Sequence, residues 1–315
     1  MARAVKWQFV AKRSRAERIA QRRNVILRDA GITKKTQERY FWALSLLLPF
    51  LAEVTSTIGL DEQTCEWIQS SWEKGEALHI ISDGLCGLHH FEPWTRRLVP
   101  MAWKMFATWK KLESPDRAPP LTITIIYAWT NYALAHNQII FAALLCLGFF
   151  GLLRTGEILQ VTAADILTGK EQAIISLPHT KTGQREKVQE MVVVEDFITI
   201  QILATVKELQ QRASLEKTPL WPHSAEAFRN QFKRYCKRFG LLPHKFRPYS
   251  LRRGGATWVF QCSGSMETAL VKGRWGSSRV ARIYIADALS YLPGLTFSSE
   301  SKEMLHRWSF EHTHL

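Results

Sequence analysis

A chain of 315 residues with 46 % hydrophobic side chains is long enough for two domains and apolar enough for real cores, which excludes wholesale disorder. Its 42 lysines and arginines against 28 acids give a formal charge of +14, an excess that suits a polyanion such as nucleic acid and that a small neutral substrate does not need. Five scattered cysteines with no C-x-x-C pair support neither a zinc ribbon nor a disulfide framework, and they fit a reducing, intracellular compartment.

Residues 1–32 read as a basic arm, with the arginines concentrated before residue 29 and no apolar stretch of a secretory signal. Such an arm is either a solvated segment or one that lies on DNA or directs nuclear import. Residues 33–113 read as all-helical. In TKKTQERYFWALSLLLPFLAEV, the spacing predicts Tyr40, Leu44, Leu47, Leu48 and Leu51 on one face. Asp61 is expected to cap a helix over EQTCEWIQSSWEKG. Further helices fit EALHIISDGLCGLHHF and RRLVPMAWKMFATWKKLE. Trp42, Trp67, Trp72, Trp103 and Trp109 read as core or interface residues, and His89-His90 as an ordinary surface or core pair, because adjacent histidines on a helix diverge.

SPDRAPPLT breaks the helical pattern with three prolines, and residues 114–121 read as a linker. Helices are expected over 122–134 and 137–153, the second including an apolar run, Ile139–Leu153, that is too short to span a bilayer and therefore reads as buried on all sides. Two strands, Gln172–Leu177 and Lys187–Val194, flank the turn PHTKTGQRE. Helices return over 195–213 and 224–239. In the latter Phe228, Phe232, Tyr235 and Phe239 form an apolar stripe, while Arg229, Lys233, Arg234, Lys237 and Arg238 cover the rest and are candidates for phosphate contact. The whole reads as mainly α with a small antiparallel β-sheet, an α+β fold. The phosphate-loop, dinucleotide, zinc-protease and serine-hydrolase motifs are all missing from the sequence.

Four residues carry chemistry. Arg154 closes an apolar run, and Glu157 at i+3 can hold it rigid and aimed at an anion. Arg252, in SLRRGGAT, is placed between core anchors Leu251 and Ala256 and a glycine pair that lets backbone or ligand approach closely. Two guanidinium forks on one phosphate would stabilise a pentacovalent transition state. Lys181, in the turn, can swing to a leaving oxygen as general acid. Tyr284, at helical spacing after GRWGSSRVARI, becomes a competent nucleophile if arginines favour its phenolate. Attack on a phosphate would conserve bond energy as a phosphotyrosine, so no nucleotide or metal is required.

These segments, GLLRTGEIL, TKTG, YSLRRGGAT and GRW followed nine residues later by a tyrosine, together resemble the catalytic boxes of the tyrosine recombinase, or phage integrase, family. The resemblance implies catalytic roles for Arg154, Lys181, Arg252, Trp275 and the nucleophile Tyr284, with Glu157 in support. It implies a catalytic domain over 122–290, a DNA-clamping core-binding domain over 33–113, and a tail, 291–315, that docks on a neighbouring protomer or packs on its own domain. It also implies double-stranded DNA as partner, a homotetramer on DNA, no cofactor and no membrane. Two positions depart from the pattern: Tyr249 stands where the family has histidine, and Arg253 where a second histidine is usual. A phenol is a poor base at neutral pH, so Tyr249 is expected only to donate a hydrogen bond, and Arg253 to contact DNA or to replace a structural bond. The implied function is site-specific recombination or integration through a 3′-phosphotyrosine, as in a mobile element. The alternatives are a decayed or domesticated recombinase that holds DNA without cutting it, and a type IB topoisomerase.

Overall fold

A computed structural model of the chain describes residues 14–23, 31–52, 54–113, 117–177, 190–291 and 296–310, which fall into two units, Met1–Asp116 and Arg117–Leu315. The described part of the arm is a helix, α1 (Arg15–Arg22), started by a capping box between Ser14 and Glu17.

The rest of the first unit is helical. Helix α2 (Lys34–Leu51) starts at the cap Thr33, and α3 (Thr57–Glu73) at Ser56. They are followed by α4 (Leu78–Phe91) and by α5 (Pro100–Leu112), whose first residue is a proline that needs no N–H there. Ala43 and Leu47 of α2 meet Trp67 and Ile68 of α3, Ile81 and Leu85 of α4, and Trp109 of α5 in one core. Leu48 does not share that face: it is 59 % exposed, since one residue along a helix turns the side chain by about 100°. Trp42 and Trp72 are also exposed, so only part of the tryptophan set is core. Asp61 caps a helix, but not its own. Helix α3 begins four residues earlier, and the Asp61 carboxylate accepts the N–H groups of Met101 and Ala102, both at 3.0 Å, at the start of α5. The acid thus satisfies two orphan donors of a neighbouring helix and complements its dipole.

The second unit opens with α6 (Ile123–Ala135) and α7 (Ile139–Phe149). Every residue of α7 from Phe141 to Phe149 is buried, as the apolar run predicts, but the helix stops short of residue 153 because Leu152 turns left-handed, with φ 48°. A short helix, α8 (Thr155–Ile158), follows at once. Strands β1 (Ile166–Thr168), β2 (Ala173–Leu177) and β3 (Glu190–Val194) form one antiparallel sheet in that order, with Ile175 opposite both Ile166 and Val192. Strand alternation buries Ala173, Ile175 and Leu177 on the core side. Next come α9 (Phe197–Arg212), capped by Asp196, and α10 (Ala225–Arg238), capped by Ser224. Phe228, Phe232 and Tyr235 of α10 pack with Trp129 of α6 in the main core.

Three helices complete the part of the fold that bears the site: α11 (Tyr249–Ser263), α12 (Met266–Gly273) and α13 (Ser278–Tyr291). A small separate core joins them to the end of α7, with Leu152, Ala256, Ala269, Trp275, Ala281 and Ile285 buried together. The last helix, α14 (Ser299–Phe310), packs on α6 of its own unit. Leu305 enters the main core, Asn131 Nδ2 donates to the Trp308 carbonyl at 2.7 Å, and the Tyr132 and Trp308 rings meet edge to face.

Candidate active site

The left-handed turn at Leu152 ends α7 and places Arg154 at the N-cap of α8. There Glu157, three residues on, grips it twice: the Arg154 N–H donates to Oε2 at 2.8 Å and Nη1 donates to Oε1 at 2.6 Å. The acid predicted as a supporter therefore fixes both backbone and guanidinium of Arg154. The Arg154 side chain remains about a third exposed, while Glu157 is buried.

Arg252 enters from α11 and is 1 % exposed. Its Nη1 and Nη2 donate to the carbonyls of Leu152 and Gly273, and its guanidinium lies over the Trp275 ring at 4.8 Å. Both carbonyls belong to left-handed turns: Leu152 itself, and the Gly273–Arg274 corner, where Arg274 has φ 53°. Gly273 is required at that corner for another reason, since a Cβ there would overlap the Trp275 ring. Arg274 then turns back toward the first arginine. Its Nη2 donates to Glu157 Oε2 at 2.7 Å, and its Nη1 to Glu190 Oε2 at 2.9 Å.

Three guanidiniums, Arg154, Arg252 and Arg274, thus face two carboxylates, Glu157 and Glu190, with little solvent between them. Burial, and then the charges of Arg154 and Arg274, push Arg252 down to about 9. Burial alone would raise the Glu157 pKa, but the Arg274 charge and the hydrogen bonds from Arg154 and Arg274 hold it below the ordinary carboxylate value. The cluster is short of one negative charge, and a bound oxyanion would supply it.

No family model matches the chain, and no curated protein matches it. Solved structures do. The Tn1549 transposon integrase in complex with circular intermediate DNA is 16 % identical over 91 % of this chain and 96 % of its own, with a TM-score of 0.59. A lambda integrase dimer bound to a COC' core site is 17 % identical over 89 % and 96 %, with a TM-score of 0.58. The XerH site-specific recombinase bound to difH substrate is 14 % identical over 81 % and 78 %, with a TM-score of 0.52. The chain has the tyrosine recombinase fold.

On this recombinase fold the boxes read from sequence meet in part. Arg154, Glu157, Arg252 and Trp275 come together in the cluster described above. Tyr249, half-buried, is the first residue of α11, one helical turn before Arg252. Tyr284 lies on α13 next to Ile285, which is anchored with Ala281 in the small core beneath Trp275. The Tyr284 side chain and Lys181 lie outside the described residues. Arg253 is buried, 2 % exposed, and its Nη1 donates to the Ala118 carbonyl at 2.6 Å. That bond ties α11 to the segment entering the unit. Arg229, Lys233, Arg234 and Lys237 are exposed on α10, as a basic face requires. Among the described residues no histidine, cysteine or acid cluster could hold a metal, and no helix is long and apolar enough to cross a membrane.

Sequence reasoning missed Arg274, Glu190 and Leu152. The only signal was an arginine between Gly273 and Trp275. Nothing in the spacing announces that its partners lie 117 and 84 residues away.

Proposed function

We propose that this chain breaks and rejoins DNA as a site-specific tyrosine recombinase or integrase, of the kind that moves a mobile element. The observation that carries the reading is the convergence of Arg154 and Arg252, from separate boxes, on one cation-rich cluster in a chain of recombinase fold. Solved neighbours of this fold are bound to DNA, and the formal charge of +14 suits such a partner. In the proposed reaction, the Tyr284 oxygen attacks the scissile phosphorus, forming a 3′-phosphotyrosine and releasing a 5′-hydroxyl. Arg154 and Arg252 hold the non-bridging oxygens, where charge develops in the transition state. Trp275 donates a hydrogen bond, and Lys181 protonates the leaving oxygen. The new phosphodiester conserves the energy of the old, so rejoining needs no nucleotide. The unit Met1–Asp116 serves as the clamp on the duplex, the exposed basic face of α10 lies on phosphates, and protomers assemble as a tetramer on two duplexes.

Tyr249, in place of histidine, motivates a second reading, in which the chain binds DNA without cutting it. A nicked duplex carrying the repeats that flank the gene separates the two. The proposal expects a covalent protein–DNA adduct from the wild type and none from Tyr284→Phe. Tight binding without any adduct would favour the second reading. Relaxation of any supercoiled plasmid by monomers would favour a topoisomerase.

A further inference from the structure

We infer that Arg274 is a positioning residue of this site, holding Glu157 and through it Arg154 in line with Arg252, and tying them to the first residue of β3. The inference rests on the cleavage reading above for its effect on rate, and on the geometry for its mechanism.

The fork of Arg274 joins three stretches of chain. One Nη reaches Glu157 beside Arg154, and the other reaches Glu190, the first residue of β3. Glu190 pairs with Leu177, the last residue of β2, so the bond reaches the end of the sheet where β3 begins. The peptide carbonyl just before Arg274, that of Gly273, is one of the two that hold Arg252. A single side chain and its own backbone corner therefore locate both arginines of the proposed phosphate clamp and the start of β3. A lysine could neutralise one carboxylate but could not bridge two with a planar fork.

Arg274 occupies a left-handed backbone that side chains other than glycine avoid, and its buried Nε has no hydrogen-bond partner among the described residues. Strain and an orphan donor retained in one residue are features of a functional position.

Loss of Arg274 would leave Glu157 Oε2 with only the Arg154 N–H. The charged groups around Glu157 are Arg154 on its own segment, Arg252 on α11, Arg274 at the corner after α12, and Glu190 across Arg274 on β3. With Arg274 gone, burial prevails and the Glu157 carboxyl titrates at higher pH. Below that pH Arg154 loses its ionic anchor, so the acid limb of the reaction moves up.

The test uses the full chain with Arg274→Gly, which suits a left-handed backbone, and Arg274→Lys. Three quantities are read: the single-turnover rate of adduct formation on the nicked duplex across pH, the affinity for that duplex, and the titration of Glu157 by carboxyl 13C NMR. For Arg274→Gly the rate is expected to fall by about tenfold or more, as misplacement of a clamp does, with affinity within about threefold. The Glu157 titration and the acid limb should both rise by about one pH unit or more, and Arg274→Lys should restore the titration better than the rate. A rate within about twofold of wild type, or a loss of rate with an unmoved Glu157 titration, overturns the inference. Should Arg274→Gly fail to fold, Glu190→Gln removes one anchor only and is expected to lower the rate about threefold, and an unchanged rate overturns the inference equally. A wild type that forms no adduct sinks the cleavage reading instead, and the Glu157 titration in the same samples still decides whether Arg274 holds it.

Discussion

Gly255→Ala tests how closely the arginine-bearing helix is seated. Gly255 lies on α11, one turn beyond Arg252, where that helix crosses the end of α7. A Cβ at this position would sit inside contact distance of the Phe149 carbonyl oxygen, 2.8 Å from its carbon and 3.2 Å from Cα. Helix propensity alone favours alanine over glycine in a helix interior by about 0.8–1.0 kcal/mol. Overpacking costs about 1–3 kcal/mol, and here the upper end applies because a backbone carbonyl cannot move aside by changing rotamer. The balance is a net loss of about 2 kcal/mol, with α11 displaced by a sizeable fraction of an ångström. That displacement would shift Arg252 relative to the Leu152 and Gly273 carbonyls, so adduct formation should also fall by roughly tenfold to a hundredfold. Urea unfolding of the Arg117–Leu315 unit measures the first effect. Gly156→Ala, in α8 where a Cβ meets open space, serves as the control and should be neutral to stabilising by up to about 1 kcal/mol. A Gly255→Ala variant as stable as wild type, or more stable, would refute the close seating.

Other substitutions separate structure from DNA contact. Arg253→Leu should cost about 1–3 kcal/mol of stability, because the Ala118 carbonyl loses its donor, while DNA affinity at fixed salt stays unchanged by fluorescence anisotropy. The opposite pattern would make Arg253 a DNA contact. Asp61→Ala should cost the Met1–Asp116 unit about 0.5–2 kcal/mol in urea unfolding through the uncapped start of α5, and no cost would mean that the cap is idle. Replacing Lys233, Arg234 and Lys237 together by glutamine should reduce the slope of log affinity against log salt by roughly 0.9 for each phosphate that is no longer neutralised. An unchanged slope would remove α10 from the DNA interface.

Much of the fold was legible because periodicity reports burial. The apolar run of α7, the aromatic stripe of α10 and the strand at β2 were each read correctly, since burial on all sides dictates the first pattern and one buried face the second. Strand β1, only three residues long, is too short for alternation to register. The turn at Leu152 was invisible because leucine rarely adopts positive φ, and local propensity gives no warning of it. Asp61 was recognised as a cap but assigned to the wrong helix, because which N-terminus it meets depends on how α3 and α5 pack. At the site, Arg154, Arg252 and Glu157 were found from their boxes and from the i, i+3 pairing. Arg274 and Glu190 were not, because their value lies in contacts that only the folded chain creates.

The most direct measurement is a peptide map of the trapped adduct. The full chain is incubated with a nicked duplex bearing the flanking repeats, quenched in denaturant, digested and sequenced by mass spectrometry. The proposed function predicts a nucleotide joined through its 3′-phosphate to the peptide containing Tyr284, together with a free 5′-hydroxyl on the released strand. An adduct on another residue, a 5′-phosphate on the released strand, or no adduct at all would contradict it.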